Sequence, residues 1–102
     1  MAGYVFTTEA GEDLDGIVDY TRHQWGDIQA RRYLAQMRRC LDQIAGERGR
    51  YRVEAAFSHP VRVLRCQHHY IYCLPRKGQP ALIVAVLHEK MDLIARIAER
   101  LG

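Results

Sequence analysis

Residues 61–96 read VRVLRCQHHYIYCLPRKGQPALIVAVLHEKMDLIAR, and three β-rich runs in this stretch give way abruptly to helical spacing. The first run, residues 61–66, mixes apolar residues with arginine, while residues 70–74 are aromatic and β-branched. Residues 82–87 are apolar without interruption, which is typical of a strand covered on both faces. The loop of residues 75–80 contains a glycine and is bounded by prolines, which favours a hairpin.

The end of this stretch has the spacing of an amphipathic helix. Its apolar residues recur every three or four positions and predict one buried face: Met91, Ile94, Ala98 and Leu101. Met91 is therefore expected to lie in the core. Asp92, near the start of this helix, is expected to stabilise the helix N-terminus.

Upstream of the β-rich runs, the sequence predicts one short strand and two helices. Residues 4–7 are β-prone, and Thr8 is suited to cap the helix that follows. Gly26 can close this first helix, and Asp27 can cap the second. Apolar residues at helical spacing then continue for about four turns until Gly46 ends the second helix.

The predicted order of elements is β-αα-βββ-α, in one α+β domain over residues 1–102. We expect a mainly antiparallel sheet of about four strands, packed against the helical hairpin, with a C-terminal helix and with helices mainly on one face. Residues 47–59 have few periodic apolar positions and are expected to be flexible.

The net charge of +3 conceals an uneven distribution of charge along the chain. Residues 1–20 carry five acids and no lysine or arginine, while residues 21–52 carry eight arginines against three acids. Non-specific affinity grows with the number of phosphates neutralised, so strong direct nucleic-acid binding is not expected. On the second helix, Arg32 and Arg39 are predicted nearly opposite the apolar stripe, and Arg31 and Arg38 flank it on one side. Either a solvated face or an acidic partner explains these arginines.

Several classes of protein are disfavoured by composition. The chain has no run of about 18 apolar residues and no signal-peptide pattern, so we expect a cytoplasmic protein without a membrane span. Its three cysteines lack CxxC spacing and are expected to be reduced. A metal site built from Cys66, His68 and His88 lacks a recognisable fourth ligand, so neither a metal nor another cofactor is expected.

The residues needed for RNA cleavage are present, but they form weak evidence. Such chemistry needs a general base, a general acid and a cation over the phosphate. Any small basic domain with five histidines would contain these groups. If His68 and His69 both lie on a strand, they point to opposite faces, so no more than one of them joins a given site.

Two further residues have open alternatives. His88 follows the apolar strand, where its ring can bond Asp92 or main-chain groups, or can face a cleft as a contact or catalytic residue. Arg62 either contacts a phosphate or an acidic partner, or is an outward-pointing residue that alternates with valines.

A specific set of motifs surrounds the last strand: residues 87–92 (LHEKMD), preceded by residues 65–70 (RCQHHY) and 73–76 (CLPR). Further motifs extend over nearly the whole chain: Asp13-Leu14-x-x-Ile17, Tyr20-Thr21, Trp25-Gly26, Gln29-Ala30 and Tyr33. In these motifs the chain resembles a known family, the ParE toxins of bacterial toxin–antitoxin modules. Within the family the chain is most similar to plasmid-borne ParE of broad-host-range addiction modules.

This resemblance implies a RelE/ParE-like fold and a non-enzymatic toxin. Such a toxin poisons DNA gyrase by stabilising the cleaved gyrase–DNA complex, and a ParD-type antitoxin neutralises it in a hetero-oligomer. The antitoxin's disordered segment folds as it wraps the toxin. The alternative is a RelE-like ribosome-dependent mRNA endonuclease, which shares the fold but requires a catalytic cluster where this chain has an amphipathic helix.

Two sets of contact residues are predicted on this basis. The candidates for contact with the target are Arg62, Arg65, His88, Lys90 and Arg96. The candidates for contact with the antitoxin form an expected exposed stripe of Tyr20, Trp25, Tyr33 and Met37, and the edge of the sheet is the alternative location. No catalytic residue is assigned.

Overall fold

A computed structural model describes residues 3–102, which form a five-stranded sheet and three helices. In chain order the elements are β1 (Tyr4–Phe6), α1 (Thr8–Trp25), α2 (Asp27–Ala45), β2 (Arg52–Glu54), β3 (Val61–Cys66), β4 (His69–Leu74), β5 (Ala81–His88) and α3 (Leu93–Leu101). The strand order is β1-β5-β4-β3-β2, and only the β1–β5 pair is parallel. The predicted α+β class and the helical hairpin are confirmed.

Residues 47–59 were predicted to be flexible, but Arg52–Glu54 form strand β2. The sheet therefore has five strands, one more than the four predicted. Strand β2 pairs antiparallel with β3, and Val53 lies opposite Arg62. Three residues are too few for a periodic signal. This strand forms because β3 presents an otherwise unpaired edge to the chain that returns from α2.

The sheet is covered on both faces, and each face has its own apolar core. On one side, the α1–α2 hairpin packs Met37, Leu41 and Ile44 against alternate residues of β3, β4 and β5. On the other side, Ile97 of α3 packs against a second set that includes Val63. Strand β5 contributes to both cores, which explains its uninterrupted apolar sequence.

Glycines and short polar residues mark the helix ends, though not always the predicted ones. Thr7 caps α1, because its hydroxyl accepts the N–H of Ala10 at 3.0 Å, so the expectation of Thr8 is off by one residue. Gly26 has φ +89° and ends α1 as predicted, but Asp27 lies in the first turn of α2 and does not cap it. Asp92 caps α3 through the N–H of Ala95 at 3.2 Å.

The prediction of the buried face of α3 is wrong for three of its four residues. The helix packs through Leu93, Ile97 and Leu101, whereas Ile94 is 71% exposed and Met91 is 36% exposed. Ala98 is exposed as well. Two neighbouring apolar rows on this helix have the same spacing, so the sequence pattern alone does not distinguish them.

The expectation of three reduced cysteines is also wrong. Cys40 of α2 and Cys66 of β3 form a disulfide, with their Cα atoms 6.2 Å apart. Helix α2 lies on the sheet, which brings the two residues together across 26 positions of sequence. Cys73 is free and buried, as expected. None of the helices in residues 3–102 is long and apolar enough to cross a membrane.

Candidate functional site

A groove of about 590 Å³ opens where α1, the start of α2, the start of β4, the end of β5, and α3 meet. It exists because β1 stops at Phe6, opposite Ile83, so the second half of β5 has no neighbouring strand on that side. Helices α1 and α3 flank this open edge. The lining residues used below are Asp13, Tyr20, Trp25, Tyr33, His68, His69, His88, Arg96 and Arg100.

An ion pair between Asp13 of α1 and Arg100 of α3 takes the place of the missing strand. The guanidinium donates to both carboxylate oxygens, at 2.5 and 2.9 Å. Asp13 also accepts the N–H of Val86 at 3.0 Å, and Arg100 donates to the C=O of Val84 at 3.1 Å. Because both side chains also bind β5, the pair fixes α1 and α3 on the strand between them.

The inner end of the groove holds a tyrosine and two histidines. The hydroxyl of Tyr33 is hydrogen-bonded to Nδ1 of His69, and the ring of His88 lies edge-on to His69 with centroids 5.2 Å apart. Burial raises the pKa of Tyr33 to about 12. Burial, together with His88 and His68, lowers the pKa of His69 to about 4. At neutral pH the phenol therefore donates and Nδ1 accepts, which leaves the proton of the neutral imidazole on Nε2.

His88 serves the turn that follows β5. Its Nδ1 accepts the main-chain N–H of Lys90 at 3.1 Å, while Asp92 is occupied with capping α3. Two of the predicted alternatives for His88 are therefore found: its ring bonds a main-chain N–H, and it lines the groove. The predicted bond to Asp92 does not form, because Asp92 caps α3.

A charged cluster at the mouth of the groove is built around Glu89. Its carboxylate accepts from Arg65 at 2.6 Å and lies 3.3 Å from Nδ1 of His68. Partial desolvation raises the pKa of Glu89, but the hydrogen bond with His68 and the charge of Arg65 outweigh it, so the net shift is downward. The carboxylate is therefore ionised at neutral pH and binds both basic side chains.

The condition under which His68 and His69 would point to opposite faces is not met, because only His69 lies on a strand. His68 lies in the β3–β4 turn and not on a strand, because Gln67 adopts φ +59° and reverses the chain. The alternation rule for strands therefore does not apply to it. Both histidines line the groove, His68 at its mouth and His69 further in.

Two exposed aromatic side chains form the outer rim of the groove. Trp25 is 73% exposed and Tyr20 is 58% exposed, and both come from the second half of α1. Large aromatic side chains combine a wide apolar surface with few rotatable bonds, so they bind partners at low entropic cost. The rim therefore offers a ready contact surface for a protein partner.

The predicted target-contact residues are brought together only in part. His88 and Arg96 line the groove, Lys90 is exposed in the turn after β5, and Arg65 is exposed beside Glu89. Arg62 is elsewhere. Its side chain is 12% exposed and donates to the C=O of Ile44 at 3.1 Å and to Glu47 at 2.7 Å.

Arg62 thus binds the end of α2, and the prediction of an outward-pointing side chain is wrong because the guanidinium is held against Ile44 and Glu47. Of the predicted antitoxin contacts, Tyr20, Trp25 and Tyr33 line the groove. Met37 does not belong to any exposed stripe, because it is fully buried in the core between α2 and the sheet. The groove thus combines members of both predicted sets.

Sequence reasoning missed the ion pair that fixes the groove. Asp13 and Arg100 are 87 positions apart, and neither was predicted to contact anything. The available signals were the position of Asp13 in a family-like motif and that of Arg100 beside apolar residues of the terminal helix. Neither signal identifies the partner.

Metal binding finds little support in the described part of the chain. Residues 3–102 contain no group of three or more histidine, cysteine, aspartate or glutamate side chains that could hold a metal ion. The set of Cys66, His68 and His88 is not assembled, because Cys66 is bonded to Cys40.

Comparisons with known proteins agree with this fold. The family model described as "ParE toxin of type II toxin-antitoxin system, parDE" matches residues 4–93. The protein named "Toxin ParE" from Escherichia coli is 46% identical over 101 residues, covering 99% of this chain and 98% of that protein. A chain from the solved structure described as "Chromosomal ParDE TA system from P. aeruginosa" superposes with a TM-score of 0.65 at 22% identity, covering 86% of this chain and 96% of that one.

The α+β fold with its helical hairpin, together with the family match, defines a protein of the toxin–antitoxin class. The chain belongs to the ParE toxin family of type II toxin–antitoxin systems. Membership of a ParDE system implies a ParD-type antitoxin as its partner.

Proposed function

We propose that this ParE-family toxin inhibits growth by binding DNA gyrase and stabilising the cleaved gyrase–DNA complex. A ParD-type antitoxin neutralises it by covering the groove. The observation that carries the proposal is the meeting of exposed aromatic residues with His88 and Arg96 in one groove. A single antitoxin segment lying there would cover residues from both predicted contact sets.

The surface of the groove suits binding by shape and apolar contact. Burying one large apolar side chain such as Trp25 contributes roughly 1.5–3 kcal/mol. A toxin that binds the cleaved state of its target more tightly than the resealed state shifts the target toward cleavage without any chemistry of its own. Binding energy from the groove would therefore suffice for poisoning.

The ionisable groups of the groove also favour binding over catalysis. Nδ1 of His69 is occupied by Tyr33, Nδ1 of His88 by the N–H of Lys90, and Glu89 by its two basic neighbours. These contacts give each group a structural task. The low pKa of His69, about 4, also keeps it neutral under physiological conditions.

One observation favours the alternative of a ribosome-dependent mRNA endonuclease. Three histidines lie along one groove, with Glu89 and Arg65 beside His68. These residue types can serve as general base, general acid and phosphate contact. The experiment that tests the proposal should therefore separate cleavage of DNA by gyrase from cleavage of RNA by the toxin.

The deciding experiment mixes purified toxin with DNA gyrase, ATP and supercoiled plasmid, followed by detergent and protease. Linear plasmid that requires both proteins is the expected result. Addition of the cognate antitoxin before gyrase should abolish it. Absence of linear plasmid, together with cleavage of mRNA on translating ribosomes, would establish the endonuclease instead.

Variants within the groove sharpen this test. Arg96→Gln should reduce linear plasmid, because Arg96 is exposed and lines the groove. Lys77→Gln, which removes the same charge from the β4–β5 loop, is the matched control and should leave cleavage unchanged. Equal activity of both variants would remove Arg96 from the contact surface while leaving the poisoning itself in place.

A further inference from the structure

The outward face of α2 carries four arginines that the groove does not use. Arg31, Arg32, Arg38 and Arg39 are all exposed, and none has a carboxylate within salt-bridge distance among residues 3–102. Arginines elsewhere are mostly engaged within the protein: Arg22, Arg62, Arg65 and Arg100 form ion pairs, and Arg76 binds a carbonyl. Ten lysines and arginines have no such contact within residues 3–102, and α2 carries the largest group of them. The other six are spread over loops, β2 and α3: Arg48, Arg50, Arg52, Lys77, Lys90 and Arg96.

These arginines form two short rows along the helix. Residues seven positions apart lie almost directly above one another, separated by roughly 10.5 Å along the axis. Arg31 and Arg38 border α1, where Arg38 shares a shallow pocket with Asp15 and Asp19. Arg32 and Arg39 are rotated by about 100° from that row. They therefore point away from the acidic helix.

The acidic residues near this face of α2 are too few to neutralise its four arginines. Asp42 follows Arg39 by three positions on the same side of α2, but it forms no ion pair within the described residues. Asp27 is bound to Arg22 at 3.4 Å. Two acids without an ion pair among the described residues, Asp42 and the Asp15 beside Arg38, therefore accompany four cations, and the surface remains positive.

We infer that this face of α2 contacts the phosphodiester backbone of duplex DNA, chiefly through Arg32 and Arg39. The composition favours DNA over an acidic protein. Protein interfaces have an apolar or aromatic centre, whereas interfaces with DNA are more polar and far more positive. On this face the only large apolar side chain described as exposed is Ile28, at the start of the helix. The aromatic surface lies in the groove.

This inference deepens the proposed function, on which its biological setting rests. A toxin bound to a cleaved gyrase–DNA complex would meet the protein through its groove and the adjacent duplex through α2. Each phosphate contact adds affinity only while DNA is present, so it favours the DNA-bound state of the target. The contact itself can be measured without gyrase.

The test is binding of the full-length toxin to a short fluorescein-labelled duplex of random sequence, followed by fluorescence anisotropy at several salt concentrations. With about four phosphate contacts, the slope of log affinity against log salt should be near −3.6. Affinity should thus fall roughly a hundredfold between about 50 and 200 mM salt. Binding should be weak at the higher concentration.

The double variant Arg32→Gln/Arg39→Gln tests the outward face of α2. It should lower affinity at least tenfold at the lower salt concentration and make the slope shallower by about 1.8. Replacing the same two residues by lysine should retain most of the binding, because the charges remain. The control is Lys77→Gln with Arg52→Gln, which removes the same charge elsewhere. Arg52 pairs with Val63, so it lies on the α3 side of the sheet.

Three outcomes would overturn the inference. They are no measurable binding at the lower salt concentration, equal losses in the test and control variants, and loss of affinity for DNA-free gyrase with duplex binding unchanged. The last outcome would assign the face to an acidic protein surface. Failure of the plasmid-cleavage assay with normal duplex binding would overturn the proposed function alone.

Discussion

The hydroxyl of Tyr33 donates a hydrogen bond to Nδ1 of His69, which joins α2 to the first residue of β4 at the inner end of the groove. Both residues are half-buried, and their rings pack edge to face with centroids 5.7 Å apart. The bond therefore couples the helical hairpin to the sheet where the groove is formed.

Tyr33→Phe removes this bond and keeps the ring. We expect the free energy of unfolding to fall by about 1 kcal/mol, because Nδ1 of the half-buried His69 loses its donor. Urea denaturation followed by circular dichroism measures the change. Tyr20→Phe, at an exposed position on α1, is the matched control and should be neutral. Equal stability of both variants would show that the bond contributes nothing.

Stability should depend on pH through His69. Its pKa is about 4 in the folded protein and 6.5 when unperturbed, so the unfolded chain takes up the proton first as the pH falls. The contribution of His69 to the free energy of unfolding is complete above pH 6.5 and is lost progressively as the pH falls toward 4. As the pH falls from 6.5 to about 4, the melting temperature should therefore decrease less in His69→Gln than in the wild type. His59→Gln, in the exposed loop before β3, should behave like the wild type.

Arg100→Met should destabilise the protein by about 2–4 kcal/mol, because it leaves the largely buried carboxylate of Asp13 without its partner. The side chains of Arg100 and Asp13 are only 12% and 15% exposed. Chemical denaturation measures the loss. Arg96→Met, on the same helix but exposed, should change stability by less than about 0.5 kcal/mol.

A double variant provides a further check on this pair. In many proteins, replacing both members of a buried ion pair by apolar residues restores stability. Here Arg100→Met combined with Asp13→Leu should not do so, because the C=O of Val84 and the N–H of Val86 would lose their partners too. Recovery of wild-type stability would show that these main-chain bonds are dispensable.

Reduction of the Cys40–Cys66 disulfide should lower the free energy of unfolding by about 3.5 kcal/mol, from the entropy of closing a loop between residues 26 positions apart. Cys40→Ser with Cys66→Ser should show the same loss without a reductant. Thiol titration of the denatured, unreduced protein should detect one thiol, that of Cys73. Detection of three would contradict the disulfide.

Trp25→Ala should weaken antitoxin binding by about 2 kcal/mol or more, as expected of an exposed aromatic anchor that becomes buried in a complex. Isothermal titration calorimetry with the cognate antitoxin measures the effect. Val53→Ala is the matched control, since Val53 is 60% exposed on β2, away from the groove. Loss of affinity in the control alone would move the antitoxin to the sheet edge.

The types and order of most elements were predictable from the sequence because they depend on neighbours within a few positions. β-prone runs, helical spacing and Gly26 identified the hairpin and four of the five strands. Strand β2 was missed because three residues carry no period, and it is stabilised by pairing with β3. The packed face of α3 was misassigned because two apolar rows fit the same pattern.

The sequence by itself determined the residue types on which the proposed function rests: exposed aromatics on α1, histidines and cations near β5, and arginines on the outer side of α2. Only the tertiary structure decided which of them meet. It brought Trp25 to the same groove as His88, buried Met37, and joined Asp13 to Arg100 across 87 positions. Local spacing encodes helices and strands, whereas such contacts arise only when α1 and α3 pack beside the open edge of β5.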